Sequence, residues 1–139
     1  MKARRLVVVH LLAVLVLLAG CDIEQRYRLD HVDWLPDSAK DIGYFRTSGF
    51  VTYECLIPEE ALLKLAESKD WHLNRTGAVD LSKGNSAILK AYIEERYGTN
   101  RVNAIRNALV YDGKQQNGGE AAVVYDRDAK RLFAYEERK

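Results

Sequence analysis

The stretch ALVYDGKQQNGGEAAVVYDRDAKRLFAYEE, Ala108 to Glu137, decides the fold. Three runs rich in strand-forming residues, Ala108–Lys114, Glu120–Tyr125 and Leu132–Glu137, are separated by Asn117-Gly118-Gly119 and by Asp126-Arg127-Asp128-Ala129-Lys130. Clusters of Asn, Gly and Asp favour tight turns. Connections this short admit only antiparallel pairing, because a parallel crossover needs a dozen or more residues. The stretch therefore predicts a β-meander. Gly118-Gly119 has no helix behind it and so is no phosphate cradle. Asp126 and Asp128 have the spacing of a calcium loop, but Lys130-Arg131 follow where further oxygen ligands would be needed. The expectation is a hairpin turn in which Asp side chains accept from backbone N–H groups.

Upstream, Ile42–Phe45 and Phe50–Ile57 read as two more strands around the turn-like Thr47-Ser48-Gly49. The second alternates, with Val51, Tyr53, Cys55 and Ile57 on the more apolar face, which is assigned to the core; Thr52 and Glu54 fall on the other. Pro58-Glu59-Glu60 opens a helix, since Pro suits the first helical position and acids favour its positive end. Its buried stripe is Leu62, Leu65 and Ala66, and it ends near Ser68–Trp71. Residues 74–84 read as a loop. A second helix is predicted over Ser86–Tyr97, capped by Asn85 or Ser86, with Leu89, Tyr92, Ile93 and Tyr97 as its stripe and Gly98 as its left-handed C-terminal residue. In 100–107, Val102 and Ile105 fit a helical turn. Five strands and two or three helices imply an α+β domain over 42–139, in two layers, with one antiparallel sheet of about five strands and the helices on one face. Residues 21–41, with Pro36-Asp37-Ser38 as a turn, read as a tether and lead-in, in which Trp34 and Leu35 pack on the domain.

Charge narrows the partners. The chain has 139 residues, 21 Lys and Arg against 20 Asp and Glu. Lys2, Arg4 and Arg5 precede fifteen residues, Leu6–Gly20, that carry no charge. A basic start, a short apolar run and small residues before a boundary form an export signal. At about 1.5 Å per residue the run reaches roughly 22 Å, short of the ~30 Å hydrocarbon core of a bilayer. Without residues 1–20, eighteen basic residues face twenty acidic ones, a net charge of −2. That balance is no footprint for nucleic acid and supplies no polybasic patch for anionic lipid.

Leu18-Ala19-Gly20-Cys21, directly after the apolar run, resembles the lipobox of bacterial lipoproteins. The resemblance covers residues 1–21. It implies that a diacylglycerol is attached to the Cys21 thiol, that the signal is cut before it, and that the new amino terminus is acylated with palmitate-class chains. One chain alone gives marginal membrane binding, whereas two or three make release negligible. In the enterobacterial lipoproteins that this stretch resembles, Asp in the position of Asp22 favours retention in the inner membrane. The implied location is the membrane surface facing the periplasm.

Ile42-Gly43-Tyr44, Ser48-Gly49-Phe50, Tyr53-Glu54-Cys55, Pro58-Glu59-Glu60 and Trp71, with Val124-Tyr125-Asp126 near the end, resemble a group of uncharacterised small bacterial proteins. The similarity spans most of residues 36–138 and fits 74–97 poorly. It implies one domain and carries no activity.

Candidate chemistry is sparse. Asp30-His31-Val32-Asp33 offers three potential metal ligands, but a site needs three or four that converge, and solvated lead-in residues are the favoured reading. Cys55 has no sequence partner once Cys21 is lipidated and reads as a small buried hydrophobe. No nucleophile elbow, P-loop or dinucleotide glycine pattern occurs, and Ser82-Lys83 lacks the Ser-x-x-Lys spacing. Eight Tyr and two Trp are many for this length. Tyr111, Tyr125, Phe133 and Tyr135 cluster on the meander and are weak candidates for an exposed aromatic surface, against a cross-strand ladder closing the core. The leading expectation is a membrane-anchored, non-catalytic binding or accessory module of the cell envelope, with a protein or glycan partner and no cofactor. The alternatives are a small periplasmic hydrolase or metal-dependent enzyme, and an inhibitor or stress-response lipoprotein acting on a partner protein.

Overall fold

In the computed structural model, which describes residues 22–139, nine elements follow one another. They are β1 (Glu24–Leu29), β2 (Lys40–Arg46), β3 (Phe50–Leu56), α1 (Glu59–Lys69), β4 (Asn74–Thr76), α2 (Ser86–Tyr97), β5 (Ala108–Lys114), β6 (Glu120–Asp126) and β7 (Arg131–Glu137). Cys21 and the export signal expected over 1–20 lie outside the described residues. All seven strands form one antiparallel sheet in the order β1-β2-β3-β7-β6-β5-β4. The α+β class and the antiparallel sheet match the sequence-based expectation. The five expected strands are all present, and β1 and β4 add one to each edge.

Both additions lack the apolar alternation that marks a strand. β1 carries Glu24, Arg26 and Arg28, and turns only Glu24, Tyr27 and Leu29 partly away from solvent. β4 is three polar residues, placed by pairing Asn74, Arg75 and Thr76 with Val110, Leu109 and Ala108. Residues 74–84 are therefore not wholly loop, and the stretch read as tether holds an edge strand two residues after Asp22. Charged side chains on an edge strand also discourage further strand addition.

The expected two layers, with helices on one face, are corrected to three. Along β3, β6 and β7 successive side chains enter two separate cores. Val51, Tyr53 and Cys55 join Val123, Tyr125 and Leu132 against Leu62, Leu65 and Ala66 of α1. Ala122, Val124, Phe133 and Tyr135 face the opposite way, against Leu89, Tyr92 and Ile93 of α2. A helix covers each face, so β6 and β7 read as continuous apolar runs rather than as an alternation. Thr52 and Glu54, assigned outward from the sequence, are likewise buried.

Local chemistry fixes the helix ends. α1 begins after Pro58, and Arg127 in the β6–β7 turn clamps Glu59 in its first turn through two bonds of 2.8 and 3.1 Å. It closes with Asp70 in the left-handed region at φ 60°, where the N–H of Trp71 reaches the carbonyl of Ala66 at 2.9 Å. This is the closing geometry that usually recruits Gly. α2 lacks the expected side-chain cap. Ser86 instead donates to Asp112 at 2.5 Å and Asn85 to Glu120 at 3.3 Å, so both tie the helix start to the sheet. Residues 99–104 form turns rather than a helix, and still bury Val102 as the helical spacing implied; Ile105, just beyond, is buried too. In the β6–β7 turn Asp126 accepts from the N–H groups of Asp128 and Ala129, both at 3.2 Å. No helix among the described residues is long and apolar enough to cross a membrane.

Candidate functional site

The four aromatic candidates do not share a surface. Tyr125 and Phe133 have no exposure and Tyr135 has 7%. Period two separates them as well. Tyr111 and Tyr125 point to the α1 side, while Phe133 and Tyr135 point to the α2 side. The Tyr125 hydroxyl donates to the Ile57 carbonyl at 2.8 Å, and Tyr135 packs on Phe50 with ring centres 5.6 Å apart. Only Tyr111 reaches solvent in part. The weaker reading, an exposed patch, gives way to the favoured one, aromatic residues that close the core, and they close both cores because strands covered on two faces hide aromatic residues of either parity.

Two glutamates are among the buried polar residues of the sheet, and they differ in how far they are satisfied. Glu54 on β3 faces α2 and is 1% exposed. Its Oε1 accepts from Tyr92 at 3.2 Å and from Arg96 Nε at 2.8 Å. Its Oε2 accepts from Tyr97 and, at 2.9 Å, from Arg131, whose other nitrogen reaches Asp41 at 2.6 Å. A carboxylate offers about four lone-pair directions, and here all four are taken. Burial, followed by the Glu54 charge, raises the Tyr92 hydroxyl well above its ordinary range, which keeps it a donor. The Arg96 guanidinium also lies over the Tyr27 ring at 3.7 Å, tying β1 to this cluster. Glu54 is thus a closed structural knot with nothing left to offer a ligand.

Glu136 on β7 faces α1 and is 6% exposed. It accepts from Tyr53 at 2.7 Å on one oxygen and from Lys69 at 2.6 Å on the other. Two acceptor directions remain. Burial first, and the Glu136 charge second, hold the Tyr53 hydroxyl protonated far above its usual range. Trp34 packs edge-on against Tyr53 with ring centres 4.9 Å apart. Beside this chain runs a groove of about 330 Å³ lined by Trp34, Ser68, Lys69, Gln115, Asn117 and Glu136. The β5–β6 turn is pinned as one wall, because the Gln116 N–H donates to the Lys69 carbonyl at 3.0 Å. Gln115 Nε2 reaches the Glu137 carbonyl at 3.1 Å.

These residues stand at positions 34, 68, 69, 115, 117 and 136, in four separate stretches of the chain that no local spacing could link. The one available signal was Trp34 beside Leu35 in the lead-in, expected to pack on the domain. The remaining candidates stay apart. Cys55 has no exposure, and burial pushes its thiol up to about 12, so it is protonated and unreactive at neutral pH. His31 lies in the turns after β1, 3.1 Å from Asp33 and 3.7 Å from Asp37, whose side chains are fully exposed or nearly so. His72 pairs with Asp70 at 3.2 Å, also in solvent. No cluster of three or more metal-ligating side chains occurs among the described residues. No family model, curated protein or solved structure matches the chain.

Proposed function

We propose that this chain is a lipid-anchored binding domain of the bacterial cell envelope, tethered at Cys21 and offering the Trp34–Glu136 groove to a polyhydroxylated ligand such as an envelope glycan. The anchoring half of the reading is supported by Leu18-Ala19-Gly20-Cys21 behind a fifteen-residue uncharged run. The binding half is carried by a single observation, the half-satisfied Glu136 carboxylate at the side of an open groove.

The chemistry of the lining favours sugars over apolar peptides. An indole offers a flat face for sugar C–H groups, and the atoms not spent on internal bonds, Gln115 Oε1, Asn117 Nδ2 and the accepting side of Ser68 Oγ, suit ring hydroxyls. Glu136 accepts further hydrogen bonds without giving up Tyr53 or Lys69. The bond from Lys69 holds the Glu136 carboxylate in place, which suits recognition.

The test is titration of the membrane-extracted, full protein with soluble peptidoglycan fragments, read by indole fluorescence. A saturable change is expected. It is expected to vanish in Trp34→Ala and to weaken in Gln115→Ala. No saturable change, or one that Trp34→Ala and Gln115→Ala leave intact, rules out the groove.

A further inference from the structure

We infer that the end of the domain nearest Cys21 is a second binding surface, which seats the headgroups of anionic phospholipids in the membrane that carries the anchor. The inference rests on the anchoring proposed above and extends it from a passive tether to an oriented contact.

Distance supplies the first reason. Only Asp22 and Ile23 separate Cys21 from the start of β1, so at up to about 3.5 Å per residue the sheet begins within roughly 10 Å of the acylated thiol. The expected tether is too short to lift the domain away. Whatever borders Ile23 must lie at headgroup depth, and Ile23 is itself 55% exposed.

What borders it is a cleft of about 850 Å³, framed by Asp22, Glu24, Arg46, Thr47, Arg138 and Lys139. The β2–β3 turn closes one side, with Thr47 Oγ1 accepting from the N–H groups of Gly49 and Phe50, both at 3.2 Å. Two acids belong to the cleft, and the charge balance depends on how they are engaged. Glu24 accepts from Tyr44 at 2.7 Å and from Arg46, and it pairs with Arg26 at 3.0 Å. The Tyr44 bond above all, then that of Arg46, holds its carboxyl below the ordinary range, so it remains a satisfied anion. Asp22 is exposed beside the anchor.

The two cations at the C-terminal side are differently placed. Arg138 spends one nitrogen on the Thr47 carbonyl at 3.2 Å, and Lys139 reaches the Gly118 carbonyl at 3.1 Å. Among the described residues neither is paired with a carboxylate. Arginine and lysine with spare donors, held at headgroup depth, complement a phosphate diester. The net charge of −2 concealed this local arrangement, because the excess of acid is spread elsewhere over the domain.

The experiment uses the lipidated protein in nanodiscs of phosphatidylcholine alone or with phosphatidylglycerol. A spin label is placed at Ser48→Cys, at the tip of the β2–β3 turn, where the buried Cys55 does not compete for the reagent. In discs containing phosphatidylglycerol the label is expected to be severalfold less accessible to a water-soluble nickel chelate than in phosphatidylcholine alone. High salt, or R138Q together with K139Q, is expected to abolish the difference; those two changes leave the Glu24–Arg46 pair in place. Equal accessibility in both discs, or a difference that survives R138Q and K139Q, overturns the headgroup contact while leaving the anchor standing. A chain whose mass shows no acyl group overturns the anchor, and the inference with it.

Discussion

The two faces of one sheet solve the same burial problem with different chemistry. On the α1 side the strands present Tyr53, Cys55, Val123, Tyr125 and Leu132 to Leu62, Leu65 and Ala66, and the one buried acid, Glu136, sits at the rim with spare acceptor capacity. On the α2 side the most deeply buried acid, Glu54, lies within the packing and is saturated by Tyr92, Arg96, Tyr97 and Arg131, while Asp126 at the strand end is paired with Arg101. Three of those four donors come from α2, so the ionic knot fastens that helix to the sheet. α1 is held more lightly, by its apolar stripe, by the Arg127–Glu59 clamp and by the single Lys69–Glu136 pair at its C-terminal end. The Glu54 carboxylate is spent on architecture, whereas Glu136 beside the groove keeps acceptor capacity, which is what the proposed binding role draws on.

The comparison breaks most visibly at Glu54. Glu54→Ala leaves Arg96 without its carboxylate and Arg131 with Asp41 alone, and removing one partner of a buried pair costs about 3–5 kcal/mol. Urea denaturation is expected to show that loss as a lower midpoint with an unchanged slope, and a loss under 1 kcal/mol would deny the knot its role. Tyr53→Phe probes the other face. It removes one of the two donors to Glu136, and hydrogen bonds to charged groups contribute about 1.5–3 kcal/mol. The stability loss is expected to be smaller than for Glu54→Ala, yet glycan binding at the groove is expected to weaken as well; Glu54→Ala under folding conditions is expected to leave it unchanged. The smallest effect is a gain. Asp70 holds a left-handed conformation that costs a non-glycine residue about 1–2 kcal/mol, so Asp70→Gly is expected to raise stability by up to about 1 kcal/mol once the greater freedom of unfolded glycine is subtracted. Because it lies on the α1 side, its gain is expected to add to the Glu54→Ala loss within about 0.5 kcal/mol.

The sequence made the meander, both helices and the β2–β3 hairpin legible, because each depends on local signals: period two, helical spacing and turn residues. What it hid depends on long-range partners. β1 carries charges along an exposed edge, and β4 is polar, so neither shows a hydrophobic pattern. Short connections said that neighbours are antiparallel but not which face each helix covers. The unbroken apolar runs Ala121–Tyr125 and Leu132–Tyr135 did carry that information, since strands buried on both sides lose their alternation. Glu54 read as solvent-facing because a lone acid in a strand discloses nothing about two arginines 42 and 77 residues away. The groove was invisible for the same reason, as its residues come together only through the sheet.

The proposed anchoring at Cys21 would set where this chemistry operates, and the intact mass of the mature chain isolated from bacterial membranes tests it most directly. The predicted result is loss of residues 1–20 and a new amino-terminal Cys21 carrying a diacylglycerol, with the mature chain confined to the membrane fraction and released from it by Cys21→Ser. An unmodified Cys21 thiol, or membrane association that Cys21→Ser leaves unchanged, would contradict the account.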